Sequence, residues 1–366
     1  MSYKATSDRV LFIAASLLTI FGLIMVYSAS SAVASNKFGM SSYYFLRQLA
    51  YAGIGYLLMI LLMNVDYHVW QNRRIVQVSC FLSLVMLVLV FTQPRINGAR
   101  RWLRYGPLLS FQPSEIAKLV LLLFLAYFLH KYEAEINDPK RRLVPCVALL
   151  AVFAGLIAVE PDLGQAVCLV LIAGILLFIA GLSWKYIAGA ALLVLPTFYV
   201  AVWRVQFRRD RLETFLNPST DPLGSGWHIM QSLIALGSGG WFGLGLGNSR
   251  QKRFFLPEAH SDFIFAIIGE EIGLVGALLI ALGFLVIFYR GMRIAFRAPD
   301  RFGFYLGLGI TLMVVLQAFI NISMVLAMMP TKGIALPFIS QGGSSLLLNL
   351  TATGLLLNIS HYGERA

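Results

Sequence analysis

With 58% hydrophobic and only 13% charged side chains, at a mean hydropathy of +0.77, this chain of 366 residues is too apolar for a soluble globular domain, where charged residues approach about a quarter. Its net charge of +12 is dispersed among short polar intervals and does not form one basic domain, which excludes a nucleic-acid-binding module. An all-α polytopic membrane protein remains.

Ten apolar stretches are long enough to cross a hydrocarbon layer of about 30 Å. They run at Val10 to Tyr27, Leu46 to Met63, Ile75 to Phe91, Ile116 to Leu129, Leu143 to Val159, Gly164 to Ala180, Ile187 to Val202, Phe263 to Tyr289, Phe304 to Met329 and Ser345 to Ile359. An even count places both termini on one side. Lys4, Arg9, Arg73, Arg74, Arg141, Arg142, Arg290 and Arg293 in the connections of that side make it cytoplasmic by the positive-inside rule. The first stretch precedes Ala32-Val33-Ala34, which resembles a signal-peptidase site, but its core exceeds a signal peptide's and it is expected to be retained. Cys80, Cys146 and Cys168 all lie in apolar stretches, and their odd number argues against a disulfide framework.

Residues 1 to 366 are expected to form a single integral-membrane domain with two long connections, both extracytoplasmic. The first, Thr92 to Glu115, carries Asn97-Gly98-Ala99-Arg100-Arg101-Trp102 and then Gln112-Pro113-Ser114-Glu115-Ile116-Ala117-Lys118. Pro113 suits the first turn of the fourth helix and Glu115 its positive end, while Glu115 and Lys118, three apart, share a helix face. A cap with an ion pair and a ligand-binding role are both open readings. Glu160 and Asp162 fall on the same side, in the short Val159-Glu160-Pro161-Asp162-Leu163-Gly164 connection.

The larger connection, 208 to 260, begins with alternating bases and acids and continues through a turn-rich segment, Asn217 to Gly226. Trp227, Met230, Leu233 and Ile234 then recur at helical spacing, as in a short helix lying in the interface. Glycines at 237, 239, 240, 243, 245 and 247 follow no strand, so they form no dinucleotide fingerprint and are expected to allow tight turns. The connection ends in Leu-Pro-Glu-Ala-His-Ser-Asp, which carries His260 and leads Asp262 into the eighth span, where a charge is costly. A last polar interval, Pro330 to Ser345, holds Lys332 and Ser340.

The outer side thus gathers Glu115, Glu160, Asp162, Glu258 and Asp262 with Lys118, Lys332 and two basic groups. These are Arg95, Arg100, Arg101 and Arg104, then Arg204, Arg208, Arg209, Arg211, Arg250, Lys252 and Arg253. Arg in such numbers suits either anionic lipid headgroups or a pyrophosphate held by bidentate hydrogen bonds. Acids inside the spans are scarce, with Glu270 and Glu271 the exception, whereas a coupled transporter needs titratable groups near the midplane. The pattern suits chemistry on the headgroup of an amphiphile. Asp262, in apolar company, is expected to have a raised pKa from desolvation, opposed by the helix N-terminus and nearby bases, and could then take a proton from a sugar hydroxyl. His260 could orient it or be structural. No His-Glu-x-x-His, Gly-x-Ser-x-Gly, P-loop or metal-spaced Cys pair occurs.

Tyr27-Ser28-Ala29-Ser30, Gln112-Pro113-Ser114-Glu115, Pro161-Asp162-Leu163-Gly164, Asp221-Pro222-Leu223-Gly224-Ser225-Gly226, Pro257-Glu258 through Asp262-Phe263-Ile264-Phe265, and Gly342-Gly343-Ser344-Ser345 follow one another in the order of a known family. Along nearly its whole length the chain resembles the shape, elongation, division and sporulation (SEDS) proteins, which include FtsW, RodA and SpoVE. Pro330-Thr331-Lys332-Gly333 is more similar to the division branch. The resemblance implies a ten-span polymerase of lipid II, acting on the outer face of the bacterial cytoplasmic membrane at the division septum. Its partners would be a single-span class B penicillin-binding transpeptidase and other division proteins.

In that resemblance Asp262 matches an essential aspartate. Glu115, Lys118, Asp162 and Lys332 fall in motifs that line an outward cavity, with Arg47, His260 and Ser340 as further substrate-binding candidates. Gln341 stands where the family usually has Tyr. The implied reaction is an inverting glycosyl transfer. Asp262 deprotonates the 4-hydroxyl of the acceptor's N-acetylglucosamine, which attacks the anomeric carbon of the donor's N-acetylmuramic acid, and undecaprenyl pyrophosphate leaves. Lys118, Arg101 and Lys332 would hold the pyrophosphate, while Glu115 and Asp162 would hold Lys118 or a divalent cation such as Mg or Mn. A lipid flippase and a non-catalytic division scaffold are the competing classes.

Overall fold

A computed structural model describes residues 7–94, 99–105, 109–204, 206–216, 226–253 and 255–363. Arg95, Asn97, Gly98, the side chain of Arg208 and most of the turn-rich motif (217–225) lie outside the described residues. The structure is mostly helical: α1 (Arg9–Phe38), α2 (Tyr43–Asn64), α3 (Arg73–Leu89), α4 (Pro113–Tyr132), α5 (Val144–Val159), α6 (Leu163–Ile179), α7 (Trp184–Trp203), α8 (Gln206–Leu216), α9 (Trp227–Gly239), α10 (Ile264–Phe296), α11 (Arg301–Val325) and α12 (Gly343–Tyr362). The ten apolar stretches fall on α1 to α7 and α10 to α12. Seven helices of the described residues are long and apolar enough to cross a membrane, and α6 is a shorter apolar helix.

Burial separates the inner helices from those that face the surroundings. The apolar windows of α4 and α11 are 72% and 67% buried, against 22% to 39% for α1, α2, α3, α5 and α10, so α4 and α11 form the centre of the bundle. α2 packs along α12, and α10 along α11. Exposed Leu and Ile on the outer helices, such as Leu17, Leu57 and Leu285, need a lipid surround to be tolerated.

Polar side chains collect at the two ends. At one end Asp8 caps α1 through the Leu11 amide (2.9 Å) and pairs with Arg290 of α10, while its own amide donates to Ser360 Oγ of α12 (3.1 Å). Tyr67 joins this end, its hydroxyl donating to Asp300 (2.8 Å) and its amide to Asn358 Oδ1 (2.8 Å). The first and last described helices therefore begin and end at the same end of the bundle. The carboxylates expected on the outer side converge at the other.

Three features were not expected from the sequence. A hairpin, β1 (Leu103–Tyr105) and β2 (Leu109–Phe111), pairs antiparallel with Leu103 opposite Phe111 and delivers the chain to Gln112 at the start of α4. The charged start of the larger connection is helix α8, because Arg209 and Glu213, four apart, pair along one face (2.6 Å). The third feature is a break in α10 at Gly273 (φ 78°, ψ −167°).

That break is covered by the glycine-rich segment after α9. Amides of Leu244 and Gly245 donate to the carbonyls of Glu270 and Glu271 (both 2.9 Å), while Leu274 and Val275 donate back to Gly240 and Trp241 (2.9 and 3.2 Å). Backbone groups freed inside an apolar helix thus find partners in another segment, as lipid demands. The approach requires glycine: a Cβ on Gly243 (φ 78°) would lie 2.2 Å from the Glu271 carbonyl oxygen. Gly243→Val is expected to lower the Tm in detergent markedly, since clash and left-handed strain together cost about 3 kcal/mol or more. A Tm unchanged from wild type would mean that this segment does not sit on α10.

Helix α9 forms where the helical spacing places it. Its Ile229, Gln231, Ser232 and Ala235 face the bundle, and Met230, Leu233 and Ile234 of the apolar stripe face outward, 39% to 47% exposed. An outward apolar stripe on a short helix suits an interfacial position.

Candidate active site

Five chain segments meet around Asp262: the end of the larger connection, the start of α4, the α5–α6 turn, the hairpin connection carrying Arg101, and the Thr331–Gly333 segment after α11. Asp262 lies just before α10, and its backbone carbonyl accepts from Asn321 Nδ2 of α11 (2.9 Å). The same amide donates to the Ile334 carbonyl (2.7 Å), so one side chain ties both segments together. Ser340 completes the frame: its hydroxyl donates to the Ser261 carbonyl (2.6 Å) and accepts from the Leu336 amide (2.8 Å). Gln341 donates its amide to the His260 carbonyl (3.0 Å). The turn containing Gln341 is therefore held by backbone bonds that do not depend on a Tyr side chain at 341.

The Asp262 carboxylate itself has no hydrogen-bond donor among the described residues. It faces the space over Gly333, where an added Cβ would lie 3.2 Å from Asp262 Oδ2 and 3.8 Å from Arg101 Nη1. Enclosure pushes its pKa up to about 7; Glu258 and Asp162 add to the rise, and Arg101 and Arg211 oppose it. The result is a carboxylate able to change protonation near neutral pH.

Arg101 is anchored from behind. Its guanidinium donates to the carbonyls of Glu160 (3.3 Å) and Pro161 and stands 4.0 Å from Asp162 Oδ2. Asp162 caps α6 through the Gln165 amide (3.3 Å) and accepts from Gln112 Nε2 (3.1 Å). Burial raises the pKa of Asp162, with Arg101 countering. Glu160 is fully buried beside it, its pKa pushed up to about 8 first by burial and then by Asp162, with Arg101 acting against the rise. At neutral pH it is largely protonated.

Glu115 and Lys118 form an ion pair (3.0 Å) in the first turns of α4. Lys118 is wholly enclosed and also donates to Gln317 Oε1 of α11 (2.8 Å), and Gln165 Nε2 donates to Glu115 (2.8 Å). A continuous polar chain thus runs Gln317, Lys118, Glu115, Gln165, Asp162, Arg101. Lys118 faces partners inside the protein and not an open surface, so the structure separates it from the groups able to touch a pyrophosphate. Lys332 lies over the start of α6, its Cδ 3.4 Å from a Cβ placed on Gly164, and burial lowers its pKa while Cys168 and Asp162 hold it up.

Two candidates sit further out. Arg47 of α2 donates to Ser110 Oγ of β2, two residues before Gln112, and so braces the hairpin. The His260 ring packs on Tyr44 at 4.8 Å, an aromatic contact, and burial lowers its pKa with Glu258 opposing. It is the carbonyl of His260, bonded by Gln341, that belongs to the frame of Asp262.

Asp162 and Glu115 do not make a metal cage. Lys118 and Gln165 occupy Glu115, Gln112 and the Gln165 amide occupy Asp162, and among the described residues no three His, Cys, Asp or Glu side chains converge.

The sequence did not single out Gln112, Gln165, Gln317 or Asn321, and Arg211, expected only as one of a basic group, donates its guanidinium to the Thr331 carbonyl (3.2 Å). A signal was present for two of them: Gln317 and Asn321 are four apart in an apolar span, so they share a face, and amides there must find partners.

The sequence model of the cell cycle proteins FtsW, RodA and SpoVE matches residues 8–365. The chain belongs to the FtsW/RodA/SpoVE family. It is 43% identical over 354 residues to a probable peptidoglycan glycosyltransferase FtsW of Geobacter metallireducens, covering 96% of this chain and 94% of that one. It is 44% identical over 366 residues to stage V sporulation protein E of Bacillus subtilis, with both chains fully covered. A chain of a peptidoglycan synthase complex, solved in work on the structural coordination of polymerization and crosslinking, matches with a TM-score of 0.77 at 26% identity over 97% of each chain. The chain is thus a membrane protein with the fold of this family.

Proposed function

We propose that the chain is a peptidoglycan glycosyltransferase of cell division that polymerises lipid II at the outer face of the cytoplasmic membrane, spanning it ten times with both termini inside. The observation that carries the reading is the geometry of Asp262. An undonated carboxylate, tuned to about 7, borders the same space as an anchored guanidinium and lies at the apolar boundary of the bundle. A lipid-linked sugar can leave its tail in the bilayer and bring its headgroup there.

In this mechanism Asp262 accepts the proton of the acceptor's 4-hydroxyl as that oxygen attacks the donor's anomeric carbon from the face opposite the pyrophosphate, inverting it. Charge grows on the departing pyrophosphate, and Arg101 and Lys332 stabilise it. Arg101 can do so without reorganising, since two carbonyls and Asp162 already fix it. Lys118 and Glu115 act one step back, keeping Gln165 and Asp162 in place. General-base assistance contributes about 10²- to 10⁴-fold, so cation stabilisation and positioning must supply the remainder.

The protonation state sets the pH dependence. Below the folded pKa of about 7, Asp262 holds its proton and cannot act as base, so the rate on saturating lipid II should fall about tenfold per pH unit and level off above it. Rates measured from about pH 5.5 to 8.5 test this. A flat profile over that range would remove Asp262 from the proton-transfer step.

The peptidoglycan synthase complex that matches this fold contains polymerisation and crosslinking together. A class B penicillin-binding transpeptidase is accordingly the proposed partner, at the septum.

A further inference from the structure

A cleft of about 560 Å³ opens beside the C-terminal half of α1 and shares no lining residue with the Asp262 site. Its walls are Ile24, Tyr27, Ser28, Ser31 and Ala32 of α1 and Ser41 of the α1–α2 turn, with Leu246, Gly247, Lys252 and Arg253 opposite. Beneath it lies a buried cluster. Lys252 Nζ pairs with Glu271 (2.7 Å) and donates to Ser28 Oγ (3.1 Å), and Ser28 donates to Glu271 (2.7 Å). Glu270 is capped by Ser249 and by the amides of Arg250 (2.9 Å) and Gln251 (3.3 Å).

Both carboxylates below the cleft are therefore satisfied internally, and no acid lines it. Arg253 differs: its guanidinium is exposed and has no carboxylate partner among the described residues. Ser31, whose hydroxyl donates to the Ser28 carbonyl (3.3 Å), and Ser41 line the same cleft. On the lipid side Ile24, Tyr27 and Leu246 are 50%, 46% and 61% exposed and offer an apolar wall continuous with the outer face of α1. A cation, a hydroxyl donor and an apolar wall together are the complement of an amphiphile with an anionic head.

We propose that this cleft binds the phosphate headgroup of a membrane lipid, with Arg253 as its anion ligand, Ser41 as a supporting donor, and Ile24, Tyr27 and Leu246 against the chain. A glycerophospholipid and a polyprenyl phosphate carry the same recognisable group. The proposal stands apart from the glycosyl-transfer reading, since no lining residue takes part in that mechanism.

Native mass spectrometry of the full-length chain tests it, after release from phosphatidylcholine nanodiscs supplemented with phosphatidylglycerol or undecaprenyl phosphate. Wild type is expected to retain at least one of these two, and the one retained identifies the source. Arg253→Gln, and Ala32→Leu, which fills the cleft without changing charge, should each lower that retention about tenfold, the worth of one charge-assisted contact. Arg253→Lys should restore most of it. Arg250→Gln, exposed but outside the lining, should match wild type. Undiminished retention of both lipids in Arg253→Gln and Ala32→Leu overturns the proposal, as does a loss in Arg250→Gln as large as that in Arg253→Gln.

Discussion

Asp262→Asn is expected to lower lipid II polymerisation by about 10²- to 10⁴-fold while leaving the protein folded. The substitution keeps shape and volume and removes only the ability to accept a proton. Stability should not suffer, because the carboxylate makes no internal hydrogen bond, and its enclosure disfavours the charged form that the substitution removes. The frame around it is built from backbone: Asn321 holds the Asp262 carbonyl, Ser340 holds the Ser261 carbonyl, and Gln341 holds that of His260. None of these bonds depends on the acid. A variant that is folded, still copurifies with a transpeptidase and yet polymerises normally would refute the assignment. A non-catalytic scaffold predicts instead that Asp262→Asn is silent in cells.

Lys118→Met should be more damaging to the fold than any surface substitution. Lys118 is fully enclosed and paired with a carboxylate that is 2% exposed, so removing it strands Glu115 as a buried, uncompensated charge, at a cost of about 3–5 kcal/mol. Gln317 loses its donor too. Pairing the change with Glu115→Gln neutralises both partners and should recover most of the Tm, because replacing a whole buried ion pair is far less costly than breaking one. Polymerisation by the double variant should nevertheless stay below wild type, since the charge that aligns Gln165 toward Asp162, and through it Arg101, is gone. Full recovery of both Tm and rate would leave the pair a purely structural role.

Much of this was readable in the chain because lipid is a strict solvent. Uninterrupted apolar stretches located α1 to α7 and α10 to α12, although α1 runs on to Phe38 and α10 to Phe296, well past the stretches that end at Tyr27 and Tyr289, and Pro113 marked the start of α4 by its chemistry. Spacing alone brought Glu115 and Lys118 together. The resemblance implied that Glu115, Lys118, Asp162 and Lys332 line an outward cavity and matched Asp262 to an essential aspartate; in the structure Asp262 and Arg101 border Gly333, and Lys332 lies over Gly164. What stayed hidden depended on contacts distant in sequence. Nothing local says that Arg101 anchors on the carbonyls of Glu160 and Pro161, or that Lys118 turns inward to Gln317. The break in α10 was concealed as well, because Gly273 in an apolar helix carries no signal until Gly240 to Gly245 is seen to cover it. Glu270 and Glu271, conspicuous as acids within a span, proved to be partners of Lys252, Ser28 and Ser249 and not part of the Asp262 site.

The most direct test of the central claim is polymerisation of fluorescent lipid II by the purified chain in proteoliposomes, alone and with its transpeptidase, beside the Asp262→Asn variant. Glycan strands from wild type and none from the variant are the predicted result. Translocation of unpolymerised lipid II by wild type without any strands, or strands of equal yield from both proteins, would contradict it.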